Sequence, residues 1–425
     1  MNFLPPGGDV IVVGLIFGLV YLGMILGGLP GLRLDRTGVA LLGAIAVVGV
    51  GGLSPAQAAQ AVHLPTVLLL FSFMLVSAQM RLGGFYGAVT RHMAGLPLGP
   101  AGLLGVVIAV SGMLSAVFSN DVVCLAIAPV LAQACLRRGV DPVPCLLALA
   151  CASNIGSAAT LIGNPQNMLI GEVLDLSFAA YLKQALVPVL LGLLALWGLL
   201  AWPLRHQQAR PGVTGVTGAP ALPLPLAKDE PAFDAWQTAL GLAVALALVA
   251  VFLFTDWPRD VAALVAAGLL LLSQRFHSSR LLALVDWQLL VLFVGLFVVN
   301  HALEVSGLTQ QGMAALAQAG VDLTDTDTMF GMTLLLSNLV SNVPAVMLLL
   351  PAVPPGQGLQ AGTLLALVST LAGNLLIVGS IANIIVVDAA RRCGVIIDWK
   401  THLRTGAPVT AATLLITWLW LRWSG

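Results

Sequence analysis

Two Ser-Asn pairs stand inside stretches of the chain that are otherwise apolar. The first is Ser119-Asn120, which is followed by Asp121, and the second is Ser341-Asn342. Serine and asparagine offer neutral hydrogen-bond donors and acceptors, and Asp121 adds one group that can gain or lose a proton. Such groups suit a site that binds a small polar solute or a cation, or a step that moves a proton.

Two further apolar stretches are interrupted by poor helix formers. The first is SNIGSAATLIGNPQNMLIG, from Ser153 to Gly171, and a weaker counterpart runs from Gly373 to Asn383. A helix that stops there frees backbone groups: its N-terminus attracts anions, and its carbonyl oxygens can hold a cation. We therefore expect the breaks and the Ser-Asn pairs to form one binding site. The predicted substrate-binding residues are Ser119, Asn120, Asn154, Gly163, Asn164, Asn167, Ser341, Asn342, Asn374 and Asn383.

Asp121 is the predicted site of the coupling proton or cation, since a lone acid at membrane depth is typical of such sites. The equivalent position of the second pair holds Val343. Two other interpretations stay open. The polar residues could join neighbouring helices, and Asp121 could cap the helix that follows it.

Five other residues near these segments have a functional and a plainer interpretation. His301 could transfer a proton or contact the substrate, or it could simply be solvated. Glu172 and Glu304 are expected to be acids of loops. Cys124 and Cys151 could bind a metalloid as thiolates, although cysteine inside a helix more often acts as a small apolar residue. We expect no metal site and no enzyme activity, since no acid–base pair, metal motif or nucleophile motif is present.

Composition places these residues in a membrane. The chain has 59% hydrophobic and 8% charged residues and a mean hydropathy of +1.00, whereas soluble proteins carry about 25% charged residues. Continuous apolar runs near the length of a bilayer crossing recur, which predicts a polytopic helical protein and excludes an alternating β-barrel. These runs include Val10–Leu29, Leu64–Met80, Ala180–Trp202, Thr238–Phe254 and Val285–Leu303.

The basic residues predict the orientation. If the chain starts outside, the outside segments hold only Lys183, Arg259 and Arg422 of the 18 Lys and Arg residues. Basic residues concentrate in cytoplasmic loops, so we expect a multi-pass protein of a bacterial inner membrane with both termini extracytoplasmic. The first apolar run is expected to be a retained span, not a signal peptide. The residues Gly102–Leu136 and Met329–Val353 are expected to be re-entrant hairpins, although two full spans each would give the same sidedness.

The two hairpins are copies of each other. SNDVVCLAIAP (119–129) aligns with SNVPAVMLLLP (341–351), and GNPQNMLI (163–170) aligns with GSIANIIV (379–386). We predict an all-α fold of two inverted repeats, each with three spans, a re-entrant hairpin, a broken span and a final span. Such repeats with broken helices are typical of secondary transporters, and they give about ten crossings here. The predicted domains are residues 1–204 and 233–425, joined by a flexible cytoplasmic linker at 205–232.

These motifs resemble the ion transporter superfamily, and within it the citrate-transporter-like group. That group includes arsenite-efflux permeases, sodium/proton antiporters of the NhaD type and divalent anion/sodium symporters. The stretch from Ser153 to Gly171 is similar to the NIGG-ATLIGDPPN pattern of the arsenite and NhaD branch, and Phe118–Asp121 is similar to the hairpin tip of arsenite permeases. Dicarboxylate symporters carry Ser-Asn-Thr at both tips, and both threonines are missing here. The resemblance therefore favours the arsenite branch.

The predicted function is alternating-access transport of a small oxyacid or anion of the arsenite or antimonite kind, coupled to H⁺. The alternatives are a sodium-coupled symporter of carboxylates or inorganic anions and, from another class, a passive anion channel. No cofactor is expected beyond the coupling ion, H⁺ or Na⁺. The expected partners are the small-molecule substrate and the lipid bilayer, with no nucleic acid. For some relatives the resemblance also implies a homodimer and a cytoplasmic ATPase subunit.

Overall fold

A computed structural model of the chain describes residues 8–29, 31–208, 231–272 and 275–424. These residues form α-helices and two short 3-10 helices, with no β-strand among them, so the predicted all-helical fold is confirmed. The helices are α1 Gly8–Leu26, α2 Arg36–Gly49, α3 Pro55–Ala61, α4 Leu64–Leu82, α5 Phe85–Gly95, α6 Pro100–Val117, α7 Asn120–Arg137, α8 Pro142–Ser157, α9 Pro165–Val173, α10 Phe178–Gln208, α11 Ala235–Phe254, α12 Arg259–Leu271, α13 Ser278–Leu282, α14 Trp287–Val305, α15 Leu308–Gln318, α16 Thr326–Val340, α17 Asn342–Leu349, α18 Gly358–Ala372, α19 Ile381–Arg392 and α20 Trp399–Ser424, and the 3-10 helices are Leu350–Ala352 and Ile377–Gly379.

Six of the described helices are long and apolar enough to cross a membrane: α4, α6, α7, α10, α11 and α14. Shorter apolar helices are also present, among them α2, α8 and α18. The arms of the first predicted hairpin, α6 and α7, have 18 residues each, whereas α16 and α17 of the second have 15 and 8. Helices α6 and α7 are therefore each longer than the short arms from which a hairpin was inferred. The re-entrant course of both helix pairs stays a prediction.

The order of helices in the first half recurs in the second. Each half has two helices, a short helix, a long apolar helix and an 11-residue helix that follows a left-handed glycine, Gly84 or Gly307. Each half then has a helix pair, a broken helix and a long final helix. Between halves, α2 packs on α14 and α4 packs on α12. By their order in the chain, α2 corresponds to α12 and α4 corresponds to α14, so the two contacts are equivalent across the repeat. This recurrence supports the predicted repeat. Its inverted orientation and the domain bounds stay predictions, and residues 209–230 of the linker lie outside the described residues.

Two ion pairs connect helix ends that the distribution of Lys and Arg places on the same side of the membrane. At one end, Arg275 pairs with Asp234 at 2.8 Å. At the other end, Arg422 pairs with Asp327. The grouping agrees with the predicted topology, in which the first pair is cytoplasmic and the second is extracytoplasmic.

Glycines let α6 and α8 pack backbone to backbone beside the first break. A Cβ atom added at Gly156 of α8 would overlap the backbone of Gly112 on α6, and one added at Gly163 would overlap the backbone of Ser157. Small residues that allow such close approach are typical of helix contacts in membranes. The helix that leads to the first Ser-Asn tip is therefore held directly against the broken helix.

The substitution Gly156→Ala is expected to separate α6 from α8. Overpacking of this kind costs about 1–3 kcal/mol, which should lower the midpoint of thermal unfolding of the purified protein by several degrees. Gly198→Ala on α10 is the matched control, since its added Cβ would meet no described atom within 4 Å apart from the neighbouring residues and backbone of its own helix. Alanine also favours a helix over glycine by up to about 1 kcal/mol. A Gly156→Ala variant as stable as the Gly198→Ala variant would contradict the close contact.

Candidate functional site

The first break is held together by two asparagines. Asn164 caps α9 by accepting a hydrogen bond at Oδ1 from the backbone N–H of Asn167 at 2.9 Å. The Asn167 side chain donates from Nδ2 to the carbonyl of Thr160 at 2.9 Å and to that of Ser157 at 3.5 Å. Both asparagines are fully buried. They therefore satisfy backbone groups that the interruption of the helix leaves without partners.

The second break uses the same device. Asn383, the third residue of α19 as Asn167 is of α9, donates from Nδ2 to the carbonyls of Gly373 at 2.8 Å and Leu376 at 3.1 Å. These carbonyls occupy positions equivalent to those bound by Asn167 in the aligned motifs. Asn167 and Asn383, predicted to bind substrate, thus have their amide donors committed to the backbone of the breaks.

Asn154 links the two halves at the centre of the site. Its Oδ1 accepts hydrogen bonds from Asn120 Nδ2 at 2.9 Å and from the Ser380 hydroxyl at 3.0 Å. Its Nδ2 donates to Asn374 Oδ1 at 2.9 Å and to Asn383 Oδ1 at 3.2 Å. The first tip and both sides of the second break are therefore joined through one buried amide.

A reciprocal contact runs from the first break to the second half. Asn164 Nδ2 donates to the hydroxyl of Thr370 at 3.2 Å, and Gln166 Nε2 donates to the same oxygen at 3.1 Å. In the aligned motifs Asn164 corresponds to Ser380, and by the same alignment Thr370 corresponds to Asn154. The contacts Asn164–Thr370 and Ser380–Asn154 are therefore equivalents of each other across the repeat.

Both Ser-Asn tips reach the carbonyl of the glycine in the break of their own half. The backbone N–H of Asn120 donates to the carbonyl of Gly163 at 3.1 Å. With its amide oriented to donate, Asn342 bonds the carbonyls of Gly379 at 3.2 Å and Ser369 at 2.9 Å. Each tip is thus fixed against the break beside it.

The second tip is strained at Ser341, whose φ of 76° is unusual for a residue other than glycine. Such a conformation costs roughly 1–3 kcal/mol and persists where the surroundings impose it. The strain lies where the chain turns from α16 into α17, at the edge of the cavity between the tips.

Four helices begin at one small cavity of about 30 Å³. They are α7, α9, α17 and α19, and their first residues or caps supply most of its lining. A helix N-terminus carries partial positive charge and free N–H groups, so four of them together favour an anion or oxygen-rich group. The lining residues are Asn120, Asp121, Pro165, Gln166, Leu289, Ser341, Asn342, Val343, Ser380 and Ile381.

Asp121 is the single ionisable group among the described residues that line this cavity, and neither Lys nor Arg is among them. It lies in the first turn of α7, where the helix dipole favours a negative charge,. Beside it, the Oδ1 atom of Asn120 is buried without a partner in the described part of the chain. The site therefore offers a carboxyl group and an unpaired amide oxygen as acceptors, within a surround of neutral donors.

His301, Glu304 and Glu172 are not among the residues that line this cavity. His301 is half exposed, stands 3.7 Å from Glu304 and lines a separate cavity of about 370 Å³ with it. Glu172 at the end of α9 pairs with Arg259 at 2.9 Å, as a residue near a helix end can.

The thiols of Cys124 and Cys151 are buried in the core. Within the described ranges, no group of three or more His, Cys, Asp or Glu side chains could hold a metal ion.

Five residues of the network escaped prediction from the sequence. Thr370 and Ser380 contact predicted asparagines, and Gln166 contacts Thr370. Tyr181 and His402 contact the breaks. Gln166 lies within the quoted motif, and Thr370 and Ser380 could have been found by aligning the two breaks residue by residue. Tyr181 and His402 stand in final helices far from the motifs, where no sequence pattern marks them.

Known transporters resemble the chain over nearly its whole length. A family model described as a citrate transporter matches residues 19–372. An uncharacterized transporter of Mycobacterium tuberculosis is 30% identical over 424 residues, which cover 92% of this chain and 95% of that protein. The silicon efflux transporter LSI3 of Oryza sativa subsp. japonica is 26% identical, covering 96% of each chain. A transporter of Dictyostelium discoideum named arsB is 23% identical and covers 91% of this chain and 87% of its own.

The fold is shared with a transporter of known structure. The crystal structure of the Alcanivorax borkumensis YdaH transporter matches with a TM-score of 0.57 at 14% identity and covers 98% of both chains. The proteins matched are transporters, in agreement with the prediction that the chain is not an enzyme. Because the family model spans most of the chain and a transporter 30% identical covers 92% of it, the chain belongs to the citrate transporter family of membrane transporters.

Proposed function

We propose that the chain is a proton-coupled secondary transporter of a small oxyacid, bound between the two Ser-Asn tips. The observation that carries this proposal is the cavity where four helices begin, lined by neutral groups and one carboxyl group. Binding there would use amide and hydroxyl groups of both halves. Movement of the tips and breaks against the first spans of each half would then expose the cavity to each side in turn, as alternating access requires.

The lining favours a substrate that is neutral and carries hydroxyl groups. Asp121 and the unpaired Oδ1 of Asn120 accept hydrogen bonds, and an oxyacid such as arsenous or silicic acid supplies O–H donors. Both acids are neutral at physiological pH, so they need no buried cation as partner. The relatives named for silicon efflux and arsB support this class.

Citrate is the second candidate, because the matching family model is described as a citrate transporter. A tricarboxylate would bring several negative charges beside Asp121, where the described lining residues include neither Lys nor Arg. Burying charges without partners costs several kcal/mol each. The cavity is also close to the size of one or two water molecules,, and so would have to open much further for citrate than for a compact oxyacid.

Asp121 would couple the substrate to the proton. In its ionised form the carboxylate accepts an O–H donor of the substrate, and a proton on the carboxylate removes that acceptor. Proton and substrate would then exclude each other, which gives exchange of one for the other across the membrane. Sodium, the alternative coupling ion, would instead occupy the same oxygens as a cation.

The substitution Asp121→Asn is expected to abolish proton-driven transport in proteoliposomes, since the amide cannot be protonated at neutral pH. Hydrogen bonds to charged groups contribute about 1.5–3 kcal/mol, so substrate affinity should fall roughly ten- to hundredfold. Transport is measured as uptake of arsenite or silicic acid into vesicles with an imposed pH gradient.

Asp35→Asn is the matched control for this experiment. Asp35 is an exposed N-cap of α2, away from the cavity, and accepts from the backbone N–H of Gly38 at 2.8 Å. Asparagine caps helices equally well, so the control should keep wild-type transport. Proton-driven transport that survives Asp121→Asn would overturn the assigned role of Asp121.

The substrate and the coupling ion are tested together in vesicles that hold wild-type protein. Arsenite, silicic acid and citrate are each offered under a pH gradient, a sodium gradient or neither. We expect the two neutral acids to be driven by the pH gradient and citrate to be excluded. Citrate uptake driven by sodium would contradict both parts of the proposal, and flux of the neutral acids that no ion gradient changes would indicate a channel.

A further inference from the structure

Tyr181 holds the first break from the outside. It lies in the first turn of α10, is fully buried, and donates its hydroxyl proton to the carbonyl of Ala158 at 2.7 Å. The hydroxyl oxygen of Tyr181 also accepts a hydrogen bond from Asn167 Nδ2 at 3.1 Å. The final helix of the first half thus fixes a carbonyl just beyond the end of α8.

His402 occupies the equivalent place in the second half. It lies in the first turn of α20, is 1% exposed, and its Nε2 stands 3.1 Å from the carbonyl oxygen of Asn374 in the second break. A carbonyl only accepts, so Nε2 carries the proton in this contact. In the aligned motifs Asn374 corresponds to Ala158, the residue bound by Tyr181. The two contacts are equivalent, but the second one uses a group that titrates near neutral pH.

A chain of hydrogen bonds connects His402 with the candidate site. The carbonyl that His402 contacts belongs to Asn374, whose side-chain oxygen accepts from Asn154 Nδ2. Asn154 in turn accepts from Asn120, the neighbour of Asp121. A change in the position of the second break would therefore be transmitted to the first tip through two amides.

The helices that pack along α20 are α8, α10, α18 and the 3-10 helix Ile377–Gly379, and none of them contains Asp or Glu. Helix α16 also reaches α20 through Asp327, but this acid pairs with Arg422 at the end of α20 far from His402. The titratable groups of α8 are the thiols of Cys145 and Cys151. Lys183 of α10 lies at the end of α20 far from His402, because its neighbour Gln184 accepts a hydrogen bond from Trp420 at that end. Arg205 belongs to the last turn of α10.

The charged groups of the chain beside His402 face solvent. Asp398, Lys400 and Arg404 are exposed, so water screens their effect on a buried ring. The C-terminal end of α18 favours a cation weakly, but burial of an unpaired charge is the larger effect. The described surroundings therefore favour the neutral form of His402.

We propose that His402 is a positioning residue that holds the second break while it is neutral and loosens this conformation when it is protonated. This gives the site a second dependence on pH, separate from Asp121, and rests on the proposed proton-coupled function. Because the neutral form is the one favoured in the fold, the unfolded chain binds the extra proton. Stability should therefore rise with pH through the imidazole range and be lost below it.

The test measures the thermal unfolding midpoint of purified protein between pH 5 and pH 8, a range that brackets the usual histidine value of about 6.5. The variants are His402→Gln, whose neutral amide can still donate to Asn374, and His402→Phe, which cannot donate. Tyr181→Phe is the matched control in the first half. No substrate is needed, so the result does not depend on whether Asp121 couples transport.

We expect the midpoint of the wild type to fall by several degrees from pH 7.5 to pH 5.5, and His402→Gln to remove most of that fall. His402→Phe and Tyr181→Phe should lower the midpoint at pH 7.5, and Tyr181→Phe should keep the wild-type dependence on pH. In proteoliposomes, His402→Gln should transport within a few-fold of wild type at pH 7.5 with a flatter pH profile. A His402→Gln variant with the wild-type pH dependence, or a His402→Phe variant as stable as wild type at pH 7.5, would overturn the proposal.

Discussion

A helix that stops inside an apolar layer leaves backbone N–H and C=O groups that only the protein can satisfy, at several kcal/mol for each group left unpaired. Asn167 and Asn383 resolve this constraint in the two breaks by donating to the freed carbonyls. The geometry of the site depends on these contacts, because they fix where α9 and α19 begin. Those helices, with α7 and α17, then direct four positive ends at one cavity.

The same constraint determines what remains available for a ligand. Most buried amide donors of the site are committed to the breaks or to Asn154, which joins the halves. At the cavity itself, the carboxyl group of Asp121 and the Oδ1 atom of Asn120, which is buried without a partner in the described part of the chain, remain as acceptors. A site built this way avoids the cost of buried fixed cations, which is the basis for proposing a compact substrate rich in hydroxyl groups and not a multiply charged anion.

The sequence predicts the all-helical membrane fold, and it singles out asparagines that the fold brings close together, because broken helices and polar tips differ clearly from an apolar background. Asn120 and Asn342 lie at the cavity as predicted. Asn167 Nδ2 donates to carbonyls of the first break, a contact that the sequence could not show because it depends on which carbonyls the break leaves free. The predicted role of Asn167 in substrate binding stays a prediction. Thr370 and His402 look like ordinary helical residues, and their roles follow only from which break each one faces.

If amides from both halves form one binding site, removal of the amide that joins the halves should abolish ligand binding, and Asn154→Ala is the variant that removes it. Gln79→Ala is the control, since Gln79 donates to Gln237 at 2.5 Å in a buried contact outside the site. Both variants should lower the thermal midpoint of the purified protein, because an unpaired buried group costs about 1–3 kcal/mol. We expect arsenite or silicic acid to stabilise the wild type and the Gln79→Ala variant but not the Asn154→Ala variant. An Asn154→Ala variant that either acid stabilises as strongly as the wild type would contradict a binding site shared by both halves.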